Sequence, residues 1–266
     1  MYIIGELING MDQRVADAIK EKNKNFIRSL ARKQVDAGAD ALDVNCGPAS
    51  RDATGDMRWL VRTIQEEASC VLSLDSTKPE AIEAGLEASR QKCIINSTSA
   101  DIPRLEAYVD MAKKYSASLV ALVMDHKGVP QDKDRKLEMA AQILGFAQES
   151  GFPLDELYLD PILLPINVAQ SQLFGILELI KDFKALTSPP PKTILGLSNV
   201  SQGSKKRRLI NRTFLVMASA YGLDAAILDP LDDKLMYSLI TSELILNKSI
   251  YCDDFISAYN KSKLAA

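Results

Sequence analysis

The chain has 266 residues, of which 47% are hydrophobic and 25% charged, with 32 basic and 35 acidic side chains. This composition is typical of a globular protein long enough to bury most of its surface without disulfides or a structural metal. The net charge of −3 gives little attraction for nucleic acid or an anionic membrane. No apolar run approaches the ~20 residues of a membrane span, and the first residues lack a secretion-signal pattern, so we expect a cytoplasmic protein.

Histidine and cysteine usage excludes several kinds of catalysis. His126 is the only histidine, so one chain cannot assemble a Ser-His-Asp triad or a multi-histidine metal site. The four cysteines, Cys46, Cys70, Cys93 and Cys252, form no C-x-x-C pair, which argues against a zinc site or a redox dithiol. We therefore expect no metal, and a chemistry based on carboxylates, amides, hydroxyls, backbone groups and a bound cofactor.

Short apolar runs alternate with amphipathic segments along the chain. The runs predict buried parallel strands at Tyr2–Ile4, Ala41–Val44, Cys70–Leu74, Cys93–Ile95, Leu119–Met124, Leu157–Leu159, Thr193–Leu197 and Ala225–Leu228. The amphipathic segments predict helices at Asn25–Ala37, Thr54–Ala68, Lys78–Ser89, Ile102–Tyr115, Asp134–Ser150, Val168–Ala185, Asn211–Tyr221 and Asp232–Leu246.

Eight strands, each followed by a helix, in about 250 residues predict a closed (β/α)8 TIM barrel. An open doubly wound sheet is the alternative, but it usually has fewer strands and a Gly-rich first turn, which GELING matches poorly. No linker divides the chain, so residues 1–266 are predicted to form a single α/β domain. Residues 249–261 follow the eighth helix and predict one extra C-terminal helix, which covers the barrel or meets another subunit.

Polar residues stand at or near the ends of nearly all predicted strands. Each alone is explained by a helix cap or a turn, but in a barrel all of them share the C-terminal rim, where this fold places its chemistry. Carboxylates only accept hydrogen bonds, whereas Asn also donates, so the mixture suits the edge of a planar amino-heterocycle better than a metal or a phosphate. These residues are Glu6, Asp43, Asn45, Asp75, Asn96, Asp160, Asn199 and Asp229.

The loop from Gly196 to Arg208 ends in the basic run Lys205–Arg208. Such a run is explained equally by a solvated helix start and by a mobile rim segment. In the second case it would contact the anionic tail of a ligand or an acidic partner.

Several of these segments occur together, in order, in one known group of proteins. The chain resembles the pterin-binding barrel family, which includes dihydropteroate synthase and the folate domain of cobalamin-dependent methionine synthase. Within it, the chain is most similar to the methyltetrahydrofolate:corrinoid protein methyltransferases, from Met1 to about Tyr259. The segments that carry the resemblance are GELING, ALDVNCGPA, SLDSTKPEAIEAGL, INSTSA, YLDPILLP, ILGLSNVSQG and LINRTFL.

The resemblance implies a (β/α)8 barrel, usually a homodimer, that binds N5-methyl-tetrahydrofolate at its mouth and exchanges the methyl group with the cobalt of a corrinoid. That cobalamin-type cofactor would be carried by a separate corrinoid protein or be free. Asp75, Asn96 and Asp160 would hold the pterin edge. Asn199 would lie near N5, and Asn199 and Asp160 would be the catalytic pair. Folate-binding residues by motif position would also include Gly196, Ser198, Gln202 and Arg207, with Glu6, Asp43 and Asn45 as rim support.

Two other functions are compatible with a pterin-binding barrel. A dihydropteroate synthase would need a pyrophosphate site, and its usual Lys and Arg-x-His signals are absent from the sequence. A non-catalytic folate-binding or corrinoid-docking subunit is the other. The direction of methyl transfer is open as well, between donation to a corrinoid protein in acetyl-CoA synthesis and acceptance from one in demethylation.

Overall fold

The computed structural model describes the backbone of residues 1–265 and the side chains of residues 1–260. Eight parallel strands close into one barrel in chain order, with β1 paired to both β2 and β8. The strands are β1 Tyr2–Asn9, β2 Ala41–Asn45, β3 Val71–Asp75, β4 Cys93–Thr98, β5 Ser118–Leu122, β6 Leu157–Asp160, β7 Lys192–Gly196 and β8 Ala225–Leu228. The predicted TIM barrel is confirmed.

Helices follow every strand and surround the barrel. They are α1 Gln13–Lys20, α2 Lys24–Asp36, α3 Ala53–Gln65, α4 Pro79–Ala88, α5 Ile102–Tyr115, α6 Lys133–Glu149, α7 Ile166–Ala169, α8 Leu173–Phe183, α9 Arg207–Ala220, α10 Asp233–Ile245 and α11 Phe255–Ala265. No helix within residues 1–265 is long and apolar enough to cross a membrane.

Two apolar layers hold the barrel together, because successive strand residues point to opposite faces. Ile3, Leu42 and Leu72 face outward and pack under the helices. The alternate positions fill the barrel interior with a smaller cluster that consists of Ile4, Ala41, Ile94, Val120, Tyr158, Ile194 and Ala225. Side chains two or four residues further along each strand therefore lie above this cluster, towards the C-terminal mouth.

The structure differs in detail from several of the elements predicted from the sequence. The first strand extends to Asn9, so Glu6 lies within it and not after it. Helix α1 was missed, since it is only 8 residues long. The helix predicted at Val168–Ala185 is broken between α7 and α8 by a tight turn at Gln170–Gln172. The last helix begins at Phe255, although the sequence predicted it from residue 249.

Candidate functional site

The barrel interior brings most of the predicted rim residues together. Asp43 and Asn45 follow Ala41 at intervals of two, Asn96 follows Ile94, and Asp160 follows Tyr158 in the same way. Because a strand repeats every two residues, all these side chains point into the barrel above the apolar cluster. The strand register aligns Asn45 with Asp75 and Asp75 with Asn96, which makes three neighbouring strands contribute to one polar layer.

Asp43 is the most buried carboxyl group of this layer, with 4% of its surface exposed. Its Oδ1 accepts hydrogen bonds from Ser73 Oγ at 2.7 Å and from Asn96 Nδ2 at 3.0 Å. Burial, and then the neighbouring Asp75 carboxylate, raise the pKa of Asp43 to about 8. Asp43 therefore loses its proton at a higher pH than an ordinary carboxyl group does, although two donors already face it.

Asp75 and Asn45 form the adjacent pair. Asn45 Nδ2 donates to Asp75 Oδ2 at 2.6 Å, and Asn45 Oδ1 accepts from the Gly47 amide at 2.6 Å. The second contact ties Asn45 to the β2 turn, where Gly10 and Gly47 pack backbone against backbone with no room for a Cβ atom. Burial raises the pKa of Asp75, and the Asn45 amide opposes that shift.

Asp160 stands on the opposite side of the mouth. Its Oδ1 accepts from the backbone N–H of Ile162 at 2.7 Å. Burial raises the pKa of Asp160 to about 6, against the Ile162 amide and the charge of Lys136. This carboxyl group therefore titrates close to neutral pH, which suits a proton carrier.

Lys136 was missed by the sequence reading. It projects from α6 with 2% of its surface exposed, and its Nζ donates to the carbonyl of Pro161 at 2.7 Å. Burial lowers its pKa to about 8, while Asp160 acts in the opposite direction. Nothing distinguished it within KDRKLEM, because only the tertiary fold shows that this lysine points under the β6 turn.

Glu6 lies on the β1 side of the mouth and accepts a hydrogen bond from Ser198 Oγ at 2.6 Å. Burial raises its pKa; Ser198 opposes this, Asp229 adds to it, and Arg207 lowers it. The pKa of Asp229 is raised too, first by burial. This hydrogen bond holds Ser198, so Glu6 helps to fix the wall that follows β7.

The wall after β7 carries Gly196, Ser198 and Asn199 in one short turn of 3₁₀ helix, Leu197–Ser201. A Cβ atom at Gly196 would lie 3.0 Å from Asn199 Nδ2, so glycine leaves the space that this amide occupies. Asn199 is exposed at the mouth, and its side chain hydrogen-bonds to none of the other side chains that the structure describes. It therefore has both a donor and an acceptor available for a ligand.

Two predicted residues lie further out on the same loop. Gln202 is exposed and makes no side-chain hydrogen bond with the described residues, so the structure does not join it to the polar layer. Arg207 begins α9, and its Nε donates to Ser201 Oγ at 3.3 Å.

The mouth therefore presents carboxyl groups on opposite sides, amides between them and an apolar floor. Such a set matches a flat heterocycle that offers N–H donors along one edge and ring nitrogens along another. Among residues 1–260, no group of three or more His, Cys, Asp or Glu side chains is arranged to hold a metal ion.

Comparison with known proteins places the chain in a family. The family model described as pterin binding enzyme matches residues 5–229. The chain therefore belongs to the pterin-binding enzyme family.

Three individual proteins of known function or structure are similar to this chain. The chain is 27% identical over 273 residues to a methylcorrinoid:tetrahydrofolate methyltransferase of Eubacterium limosum, which covers 99% of this chain and 98% of the relative. It is 28% identical over 240 residues to methionine synthase of Mycobacterium leprae, which covers 85% of this chain but 20% of that larger protein. The solved dihydropteroate synthase of Yersinia pestis shares the fold, with a TM-score of 0.67, 15% identity, and coverage of 92% of this chain and 94% of that one.

Proposed function

We propose that this enzyme transfers a methyl group between N5-methyl-tetrahydrofolate and the cobalt of a corrinoid protein. The observation that carries the proposal is the polar layer above the apolar floor, formed by Asn45, Asp75 and Asn96 on one side and Asp160 on the other. The Eubacterium limosum relative, which matches over nearly the whole chain, supports the same chemistry.

The residues present fit a reduced pterin. Asp75, Asn96 and Asp160 would take the pterin edge, since carboxylates accept hydrogen bonds from ring N–H and amino groups. Gly196 and Ser198 would line the wall next to Asn199, whose amide has no partner among the described side chains. Asp43 and Asn45 would act indirectly, because each hydrogen-bonds a neighbour in the layer, Asn96 and Asp75 respectively.

Methyl transfer from N5 is a displacement at carbon in which the corrinoid supplies the nucleophile. The folate amine leaves more easily when N5 is hydrogen-bonded or protonated, so this chain must hold a donor there. Asn199 would provide that hydrogen bond, and it would strengthen as charge develops in the transition state. Asp160, with a pKa raised to about 6, would hold the proton that reaches N5 through water.

The test is a spectral assay with purified protein, methylcobalamin and tetrahydrofolate. We expect conversion of the methylcobalamin spectrum only when tetrahydrofolate and enzyme are both present, and the reverse reaction with methyl-tetrahydrofolate and cob(I)alamin. A protein that binds folate in calorimetry but gives no spectral change would be a binding subunit. Absence of folate binding would overturn the proposal altogether.

Three further features belong to this proposal. A corrinoid protein would dock at the mouth, because cobalt must reach N5. A homodimer is the assembly that the resemblance implies, and an apolar groove between α8 and α9, lined by Phe174 and Met217, is available for it. Sedimentation velocity would give a particle of twice the chain mass. A cytoplasmic location stays a prediction.

A further inference from the structure

A second cavity opens beside the mouth, between the first turns of α9 and α10. Its volume is about 810 Å³. Apolar atoms of Leu209, Leu231 and Tyr237 form part of its lining. Both helices follow strands of the barrel, so their first turns lie at the same end as the polar layer.

The lining of this cavity is strongly basic in a chain whose net charge is −3. Six lining residues are basic and two are acidic, namely Lys205, Lys206, Arg207, Arg208, Arg212 and Lys234 against Asp232 and Asp233. Asp232 is already engaged, because its Oδ1 accepts the amide of Leu235 at 3.2 Å and so caps α10, and its Oδ2 lies 3.7 Å from Arg208 Nε. The cavity therefore holds a clear excess of positive charge.

The basic residues stand where they weaken the helix. Helix α9 has no side-chain hydrogen bond at its N-cap and no acidic residue in its first turn. The amino end of a helix is its positive end, so Arg207 and Arg208 there repel the helix dipole. An anion in the cavity would meet both the basic side chains and the amides that lack a cap.

Arg207 links this cavity to the wall that follows β7. Arg207 reaches back to Ser201, which itself donates to the carbonyl of Ser198 at 3.3 Å. Arg207 is also close enough to Glu6 to lower the pKa of that carboxyl group. A ligand whose flat head lies beside Asn199 would therefore direct a tail from the mouth towards these cations.

We propose that this cavity binds the oligo-γ-glutamate tail of the folate substrate. The inference rests on the proposed function, since it requires a folate in the mouth. The carboxylates of the second and third glutamyl units would pair with Lys205, Arg208 and Lys234, and their methylene groups would contact the apolar lining. A concave cavity between two helix starts suits such a chain better than the flat surface of a protein partner.

The test compares the dissociation constants of methyl-tetrahydrofolate monoglutamate and triglutamate, measured by calorimetry. We expect the triglutamate to bind about 10-fold more tightly to the wild-type protein, through two or more additional weak ion pairs. The preference should shrink on going from 50 to 500 mM salt, in line with the shorter screening length. Free tri-γ-glutamate without a pterin should compete weakly with the triglutamate substrate.

The variant is Lys205→Gln/Lys234→Gln, which removes one charge from each wall. The matched control is Lys33→Gln/Lys181→Gln, two exposed lysines near the last turns of α2 and α8 and thus at the opposite end of the barrel. The first variant should lose the triglutamate preference while its monoglutamate affinity stays unchanged, and the control should keep both. Thermal midpoints would verify that neither variant alters the fold.

Equal affinities of the wild-type protein for the two ligands would overturn the inference, and so would a preference that survives in Lys205→Gln/Lys234→Gln. In Lys205→Gln/Lys234→Gln, methyl transfer to a corrinoid protein could slow while transfer to free cob(I)alamin and the triglutamate preference stay unchanged. That result would show that the cavity binds an acidic surface of the partner protein and not the glutamate tail. If neither ligand binds at all, the proposed function fails, which is a separate result.

Discussion

Burial in the barrel interior makes ionisation of the Asp43 carboxyl group unfavourable. Its side chain lies between Ser73 and Asn96, and burial together with Asp75 raises its pKa to about 8. In the unfolded chain the same group titrates near its ordinary value of 3.8. Between these two values the unfolded state releases a proton that the folded state retains. The free energy of unfolding therefore falls as the pH rises through this window.

Asp43→Asn should remove that pH dependence. The Asn amide oxygen keeps an acceptor for Ser73 and Asn96, and the neutral side chain has no ionised form to bury. We expect the variant to match the wild-type protein near pH 4 and to exceed its free energy of unfolding by about 1–3 kcal/mol at pH 8.5. Urea unfolding at both pH values measures this. Asp36→Asn, at an exposed position on α2, is the control and should show no such gain. Parallel pH profiles for wild type and Asp43→Asn would contradict the argument.

Asn199→Ala tests the catalytic role of a residue whose side chain contributes little to the fold. Its side chain makes no hydrogen bond with the other described side chains, so we expect little change in the thermal midpoint. Loss of one hydrogen bond to a charged centre in the transition state should lower kcat/KM for methyl transfer about 10- to 100-fold. Steady-state assay with free cob(I)alamin tests this without the partner protein. Asn260→Ala, an exposed position on α11, should leave the rate unchanged. Wild-type kinetics in Asn199→Ala would remove this residue from the mechanism.

Individual elements explain why the sequence predicted some positions and missed others. Apolar runs such as ALDVN mark a strand, and the period of two then places Asp43 and Asn45 inside the barrel. The run GELIN lacks that apolar continuity, so the length of β1 and the interior position of Glu6 were missed. The break between α7 and α8 was missed because Gln170 and Ser171 continue a helical pattern while burying nothing. Local sequence patterns predict strands and helices. The position of the end of a long side chain, by contrast, is decided only by tertiary packing.

The turn that follows β6, from Asp160 to Ile162, depends on such packing. Ile162 has a φ of 63°, a left-handed conformation that is costly for a β-branched residue. Asp160 holds this turn through the Ile162 amide, and Lys136 holds it from α6 through the Pro161 carbonyl. We interpret Lys136 as a positioning residue that fixes the Asp160 carboxyl group and lowers its pKa.

Lys136→Met should therefore change the pH profile as well as the rate. Removing the charge lets the pKa of Asp160 rise further above about 6, so the limb of the kcat/KM profile that reports Asp160 should move to higher pH. The matched control is Lys133→Met, which removes a lysine from the same helix, where it pairs with Glu178 and Asp182 at the surface. A lower rate with an unshifted profile in Lys136→Met would mean that this lysine acts only through the shape of the turn.

The two ends of the barrel differ in what they contain. The mouth carries the polar layer, while α11 packs against α10 near the opposite end. Burial raises the pKa of Tyr259, and Glu243 and Asp40 add to the shift, which places this tyrosine beside both carboxylates. Asp40 accepts the amide of Ile3 at 2.8 Å, and Glu243 pairs with the amino group of Met1. The C-terminal helix therefore lies over the start of β1, away from the mouth.

Deletion of residues 255–266 should consequently lower the free energy of unfolding without changing the affinity for folate. The loss of partly buried side chains such as Phe255 and Ile256 should lower the free energy of unfolding by about 1–3 kcal/mol. The affinity for methyl-tetrahydrofolate should stay within about 2-fold of the wild-type value, because no residue of α11 reaches the polar layer in the part of the helix whose side chains are described. Urea unfolding and calorimetry on the same preparation measure the two quantities. A folded truncated protein that has lost its folate affinity would show that the two ends of the barrel are coupled, since no side chain described in α11 lies near the site.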